Sequence, residues 1–256
     1  MLEKNSKKVY YDAHFHLSVC LDVNSYDIEN EMSYKGCSCA HSINEWEHQN
    51  QFIDTFKLNI QKAFGIHPQN PDITNVMFLE SLIRKKEINA IGETGFDFFN
   101  DEFKRQKDIQ EEVWNIQLEL AIENNLPIIV HCRKGNEKLF EYSKKLKKIP
   151  FVLFHSFMGS SVEAKSLLKK DINCFFSFGK QILNNNKKVL ECVNELPLST
   201  LLCETDAPFQ YLKNESQTYC SEIKKVYDAF YNLKKEQFSY SEFMLNIENN
   251  YISLFS

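Results

Sequence analysis

Glycine is scarce in this chain, with seven in 256 residues, where average usage near 7% would give roughly 18. That excludes a Gly-rich linker and leaves each glycine expected where the backbone needs it. Also missing are a Gly-x-Gly-x-x-Gly, a Walker-type loop and a Gly-x-Ser-x-Gly elbow. Their absence counts against dinucleotide-binding, nucleoside-triphosphate and serine-hydrolase readings. Basic charge is not in excess: 30 Lys and Arg face 35 Asp and Glu, for a formal net charge of −5. A globally basic nucleic-acid surface is thereby excluded, though a local basic pocket or a bound cation is not. No apolar run approaches the roughly 18 residues of a membrane span. The opening MLEKNSKK is charged, with no apolar stretch behind it, so a cytoplasmic protein without a membrane partner is expected. Cysteines stand at 20, 37, 39, 132, 174, 192, 203 and 220, but no Cys-x-x-Cys occurs. They are expected to be reduced thiols, mostly filling the core.

What is present fits a globular enzyme. Hydrophobic residues make up 43% and charged residues 25%, ordinary values for a packed domain. The length is close to the roughly 250 residues of one α/β barrel, so a single domain over 1–256 is expected, as a monomer. Short apolar runs alternate with longer Lys- and Glu-rich stretches of helical spacing, the pattern of parallel strands joined by helical crossovers. Strand ends are expected near His16, Ala40, His67, Glu93, His131, His155, Gly179 and Asp206, which lie 24 to 38 residues apart. Eight such units predict a closed (β/α)8 barrel of the α/β class. Helices are expected over Ile43–Phe56, Val76–Lys86, Asp101–Asn125, Glu137–Lys148, Ser161–Lys170, Asn186–Leu196, Tyr219–Leu233 and Ser241–Tyr251. The stretch 21–33 reads as too short and polar for a proper helix.

The chemistry-bearing residues collect at these strand ends. His14 and His16 stand two apart on the first strand, so both project from one face and can converge on a cation. Apolar runs then lead into Glu93, His131, His155 and the pair Glu204 and Asp206. The carboxyl ends of barrel strands meet at one mouth, where such enzymes hold their active sites. Four imidazoles, one Glu and one Asp exceed a single tetrahedral zinc. They suit two divalent ions bridged by a carboxylate, a centre that activates water for hydrolysis.

Six stretches carry a specific resemblance: Asp12-Ala13-His14-Phe15-His16-Leu17, Gly65-Ile66-His67-Pro68, Ile91 to Asp97, Val130-His131-Cys132-Arg133, His155 to Gly159 and Leu202 to Pro208. In this order they resemble the TatD family of metal-dependent hydrolases, barrels of the amidohydrolase group. The segment Asn250 to Phe255 resembles its closing stretch. The resemblance implies a (β/α)8 fold, two divalent metal ions (Mg, Mn or Zn) and phosphodiester hydrolysis of DNA, with 3'-5' exonuclease action among its forms. It places His14, His16, Glu93 and Asp206 around one metal and Glu93, His131 and His155 around the other, with Glu93 as the bridge. Asp206 would also orient the attacking water or take its proton. Glu204 is a second catalytic carboxylate or a partner that holds a histidine.

Around this set, His67 and Arg133 are candidate substrate contacts, Arg133 offering a bidentate fork to phosphate. Lys134 reads as a solvated lysine. Asp97 either caps a helix or holds a ligand histidine. Gly65, Gly92 and Gly95 are expected in tight strand-to-loop turns. Phe15, Phe98, Phe157 and Phe209 flank the site, and His41 and His48, which carry no motif, are expected outside it. Departures from the family pattern fall at Ser18, Gln69, Ser156, Ser216 and Ser253, none of them an implied ligand. Two other functions stay open: hydrolysis of another ester or amide, such as an aminoacyl ester on transfer RNA, and metal binding without turnover.

Overall fold

A computed structural model of the chain describes residues 8–28 and 32–255. The charged opening at 1–7 lies outside the described residues, as does part of the 21–33 stretch. The strands are β1 (Val9–Phe15), β2 (Ser33–Ala40), β3 (Ile60–Phe64), β4 (Ala90–Asp97), β5 (Ile128–Arg133), β6 (Val152–Phe154), β7 (Cys174–Phe178) and β8 (Leu201–Cys203). All pair in parallel with their sequence neighbours, in the order β1 to β8. The architecture is the expected (β/α)8 barrel, and its strands end at or within a few residues of the expected positions.

The strands are buried by near-continuous apolar runs such as Ile128-Ile129-Val130 and Val152-Leu153-Phe154, as a sheet covered on its outer face by helices requires. That outer layer begins with α1 (Leu17–Asp22), a short helix directly after β1 where none was expected. It continues through α2 (Ile43–Phe56), α3 (Val76–Lys85), α4 (Asp101–Arg105), α5 (Lys107–Asn124), α6 (Asn136–Glu141), α7 (Ser143–Leu146), α8 (Ser161–Leu168), α9 (Lys187–Glu195), α10 (Ile223–Lys234) and α11 (Tyr240–Phe255). Two expected helices each divide into a pair, Asp101–Asn125 at Gln106 and Glu137–Lys148 at Tyr142. Side-chain caps start several of them: Ser42 accepts the Glu45 N–H at 3.2 Å, and Ser160 with Glu163 forms a reciprocal capping box.

The shortage of glycine shows at helix ends. Three helices close on Lys57, Lys86 and Asn125, whose φ values of 51°, 57° and 52° lie in the left-handed region that glycine usually fills. Two glycines went instead to β4, which corrects their expected place in turns. At Gly95, φ is +139° and an added Cβ would lie 2.1 Å from the His131 carbonyl oxygen. At Gly92 it would lie 2.6 Å from the Ile129 Cβ. Only glycine lets β4 come this close to β5. The β4–β5 register also slips between Gly92 and Thr94, and the β1–β2 register between Asp12 and Phe15. A bulge re-aims the side chains beside it, and these two fall at Glu93 and His14.

Across the remaining seam, β1 meets β8 through a few bonds. Thr205 donates its N–H to Asp12 Oδ1 at 2.9 Å and its hydroxyl to Oδ2 at 2.6 Å. Asp206 N–H reaches the His14 carbonyl at 3.0 Å, and His16 N–H that of Ala207 at 2.9 Å. Asp12 is fully buried and also accepts the Tyr34 hydroxyl at 2.9 Å. Burial raises its carboxyl to about 6, against the opposing pull of these donors. Replacing Asp12 by Ala strands those donors, so Asp12→Ala should lose about 3 kcal/mol of stability. Urea unfolding of the metal-free protein measures the loss, and Asp12→Asn, which keeps one carbonyl acceptor, should lose less.

Candidate metal centre

Glu93 lies at the middle of the barrel mouth, buried, and its two oxygens face different groups. Oε2 is 3.4 Å from His14 Nε2, 3.5 Å from His16 Nε2 and 3.2 Å from His41 Nε2. Oε1 is 3.2 Å from His131 Nδ1, 3.6 Å from His67 Nε2 and in direct contact with His155 Nε2. Burial alone would raise this carboxyl, but His155, His14 and His67 outweigh it and hold Glu93 well below the usual range. Asp206, just beyond β8, puts Oδ1 3.2 Å from His16 Nε2 and 3.4 Å from His14 Nε2. Its Oδ2 accepts Gln210 Nε2 at 2.7 Å.

A further ring of side chains aims these groups. Asp97 Oδ2 stands 3.0 Å from His131 Nε2. A carboxylate there accepts the Nε2–H hydrogen bond and turns Nδ1 toward Glu93. Burial disfavours charge on His131, yet the bonds to Asp97 and Glu93 raise it to about 9. Asp97 accepts Gln69 Nε2 at 2.8 Å and the Phe99 N–H at 2.9 Å. The following helix is capped by Asn100 instead, so of the two expected roles for Asp97 the structure takes the histidine partner. Glu204 lies behind His155 and holds the loop that follows it. Its oxygens accept Ser156 N–H at 2.8 Å and Ser177 Oγ at 2.5 Å, and Oε2 is 3.9 Å from His155 Nδ1. Burial pushes its carboxyl up to about 8. It does not line the cavity.

The cavity above the cluster holds about 600 Å³. Seven expected site residues, His16, His67, Glu93, His131, His155, Asp206 and Arg133, line it, with His14 buried directly beneath. The Arg133 guanidinium lies 3.5 Å over the exposed Phe99 ring. Lys134 is exposed and donates to the Phe99 carbonyl at 3.3 Å, away from the cavity wall. His67 lines the cavity as well and stands among the imidazoles around Glu93, where burial lowers it to about 3. Of the four phenylalanines expected at the site, only Phe209 lines the cavity, while Phe15 and Phe157 are buried in the core and Phe98 packs on Phe96.

His41, Gln210, Tyr211 and Met158 belong to the cavity and were not expected there. Only His41 had a sequence signal. It directly follows the last residue of β2, as His16 follows β1 and His155 follows β6. His48 lies outside, near Ser18 Oγ at 3.0 Å.

The donor set fits a divalent ion. His14 Nε2 and His16 Nε2 face each other at 3.1 Å. With Glu93 Oε2 and Asp206 Oδ1 they give five separations of 3.1 to 3.5 Å. The centre of a tetrahedron with such edges is about 2 Å from each corner, the bond length of zinc to nitrogen and oxygen. His14, Glu93 and His155, and His67, Glu93 and His131, form further groups whose ligand atoms lie within 4.8 Å of one another.

A parallel barrel with imidazoles and carboxylates gathered at its strand ends defines the class, a metal-binding barrel of the hydrolase type. The family model described as TatD related DNase matches residues 11–256. The chain belongs to the TatD family of metal-dependent hydrolases. A Bacillus subtilis (strain 168) protein called uncharacterized metal-dependent hydrolase YabD is 38% identical over 155 residues, 59% of each chain. The 3'-5' ssDNA/RNA exonuclease TatD of Klebsiella pneumoniae (strain 342) is 31% identical over 153 residues, covering 57% of this chain and 56% of its own. Both matches span less than two thirds of those relatives. The crystal structure of YjjV, a TatD homolog from Escherichia coli K12, shares the fold, with a TM-score of 0.84 over 96% of this chain and 97% of that one at 22% identity.

Partners that orient ligand histidines typically carry 10–100-fold of metal affinity. Asp97→Asn, which keeps the shape but not the charge that fixes the His131 tautomer, should therefore weaken Zn²⁺ binding by about tenfold. Titration of the metal-free protein against a competing chelator measures this. Equal affinity would remove Asp97 from the site.

Proposed function

We propose that this chain hydrolyses phosphodiester bonds of nucleic acid, with two divalent ions held on the two sides of Glu93. The observation that carries the proposal is the division of that carboxylate, with Oε2 facing His14 and His16 and Oε1 facing His131 and His155. Ions so held supply Lewis acidity and water of lowered pKa. Asp206 shares Oδ1 with the His14 and His16 side and is restrained through Oδ2 by Gln210. It is therefore placed to orient the attacking water and accept its proton. Although burial opposes it, contact with His14 and His16 holds Asp206 far below the usual carboxylate range, so it is ionised.

Arg133 supports phosphate over an uncharged amide. Stacked on Phe99 at the cavity wall, its planar fork is pre-oriented for two phosphate oxygens. The cavity volume falls in the range that receives a small molecule, which favours a strand end over the groove of a duplex. The exposed rings of Phe209 and Tyr211 at the cavity offer faces on which a base can stack. The name of the Klebsiella relative, an exonuclease on single-stranded DNA and RNA, agrees with this reading.

Metal-replete protein assayed on single-stranded DNA, RNA, simple phosphodiesters and aminoacyl esters should cleave the nucleic acids; cleavage of the aminoacyl ester alone would overturn the substrate class. Chelation should abolish activity, and divalent ion should restore it at two equivalents by elemental analysis. Asp206→Asn should lower turnover by at least about 10²-fold with the fold intact. Arg133→Ala removes a contact made equally in ground and transition states, so it should raise the Michaelis constant more than it lowers turnover.

A further inference from the structure

We infer that His41 is an additional metal ligand on the Oε2 side of Glu93, giving that side a third imidazole beside His14 and His16. The inference rests on the metal-binding reading above and adds a residue to it. Three observations converge. First, His41 Nε2 is buried and has no hydrogen-bond partner among the described residues, yet it stands 3.2 Å from Glu93 Oε2. That separation falls within the 3.1 to 3.5 Å found among the His14, His16, Glu93 and Asp206 donors. Second, ligand atoms of His16, His41 and Glu93 lie within 4.8 Å of one another. Third, the far side of the ring faces a carboxylate. Glu45 Oε2 accepts the His41 backbone N–H at 2.8 Å and lies 3.9 Å from the ring Nδ1. A histidine whose outer nitrogen faces a carboxylate and whose inner nitrogen enters a donor cluster has the orientation of a metal ligand.

The position of His41 explains how this arises. It directly follows β2, between β1, which precedes His16, and β3, which precedes His67. Its ring centroid is 5.2 Å from that of His16 and 4.9 Å from that of His67. The side chain is 21% exposed, so it stands at the wall of the cavity and not under it. With His41 the Oε2 side has three nitrogen and two carboxylate donors. Imidazole-rich shells favour zinc and similar transition ions, whereas carboxylate and water shells suit magnesium. His41 thus biases this side toward zinc.

The test titrates metal-free wild type, His41→Ala and His41→Gln with Zn²⁺ alone against a chromophoric chelator, then titrates inorganic phosphate into the Zn-loaded proteins. In both variants one zinc should bind at least tenfold more weakly while the other is unchanged, and the rise in melting temperature on adding Zn²⁺ should shrink accordingly. Glu45→Gln, which leaves the imidazole in place, should weaken that same zinc by a smaller factor. The metal-free melting temperature reports folding, and either His41 variant that folds decides the matter. Unchanged zinc affinity with weaker phosphate binding would make His41 a substrate contact and overturn the inference alone. A wild-type protein that takes up no Zn²⁺ would overturn the metal-binding reading together with it.

Discussion

The site depends on one seam. β8 is only three residues long, and its junction with β1 rests on Asp12, which accepts both the amide and the hydroxyl of Thr205. A charged acceptor in a dry interior forms strong bonds, and leaving its partners unsatisfied there is costly. Closing this seam carries Asp206 to within 3.2 Å of His16, a residue 190 positions earlier. Without closure the two halves of the ligand set would sit at opposite edges of an open sheet.

The second constraint is electrostatic. Glu93 is an anion with almost no exposure to water, a state that needs nearby positive or donor groups. Five imidazoles meet it within 3.6 Å, and His155 touches it as well. Imidazoles differ from lysines in that they present lone pairs once deprotonated. The same shell therefore accommodates the buried carboxylate and serves as a set of metal ligands. Behind it, Asp97 holds His131, and Glu204 holds the loop after His155.

The loop after β8 is anchored by a buried charge. Lys180 is fully buried and donates to Glu222 at 2.7 Å and to Glu215. These carboxylates in turn accept the Tyr219 and Leu212 amides. Breaking a buried pair of this kind leaves an uncompensated charge, so the segment that holds Phe209, Gln210 and Tyr211 at the cavity is fixed at its base. Gln210 completes the link by bonding both Asp206 and Ser156. Nothing in the spacing of these residues along the chain announces their cooperation.

Periodicity and strand-end chemistry were enough to read the barrel and six of its central side chains. An apolar run that stops at a His or Glu is a local pattern, and the barrel sends every such stop to the same mouth. The short α1 and the two divided helices were not legible, because tertiary packing and not propensity decides such breaks. Gly92 and Gly95 looked like turn glycines, but their reason is the approach of β4 to β5, a contact between segments distant in sequence. The placement of His41 in the cluster and of Glu204 behind His155 likewise depended on which neighbouring strands lay alongside. The sequence by itself determined the fold and the kinds of ligand at its mouth, since both follow from local alternation of apolar and polar residues. Only the tertiary structure decided which nitrogen or oxygen faces which, because that depends on register slips at Asp12 and Gly92 and on the closing of β1 against β8, and neither leaves a local trace.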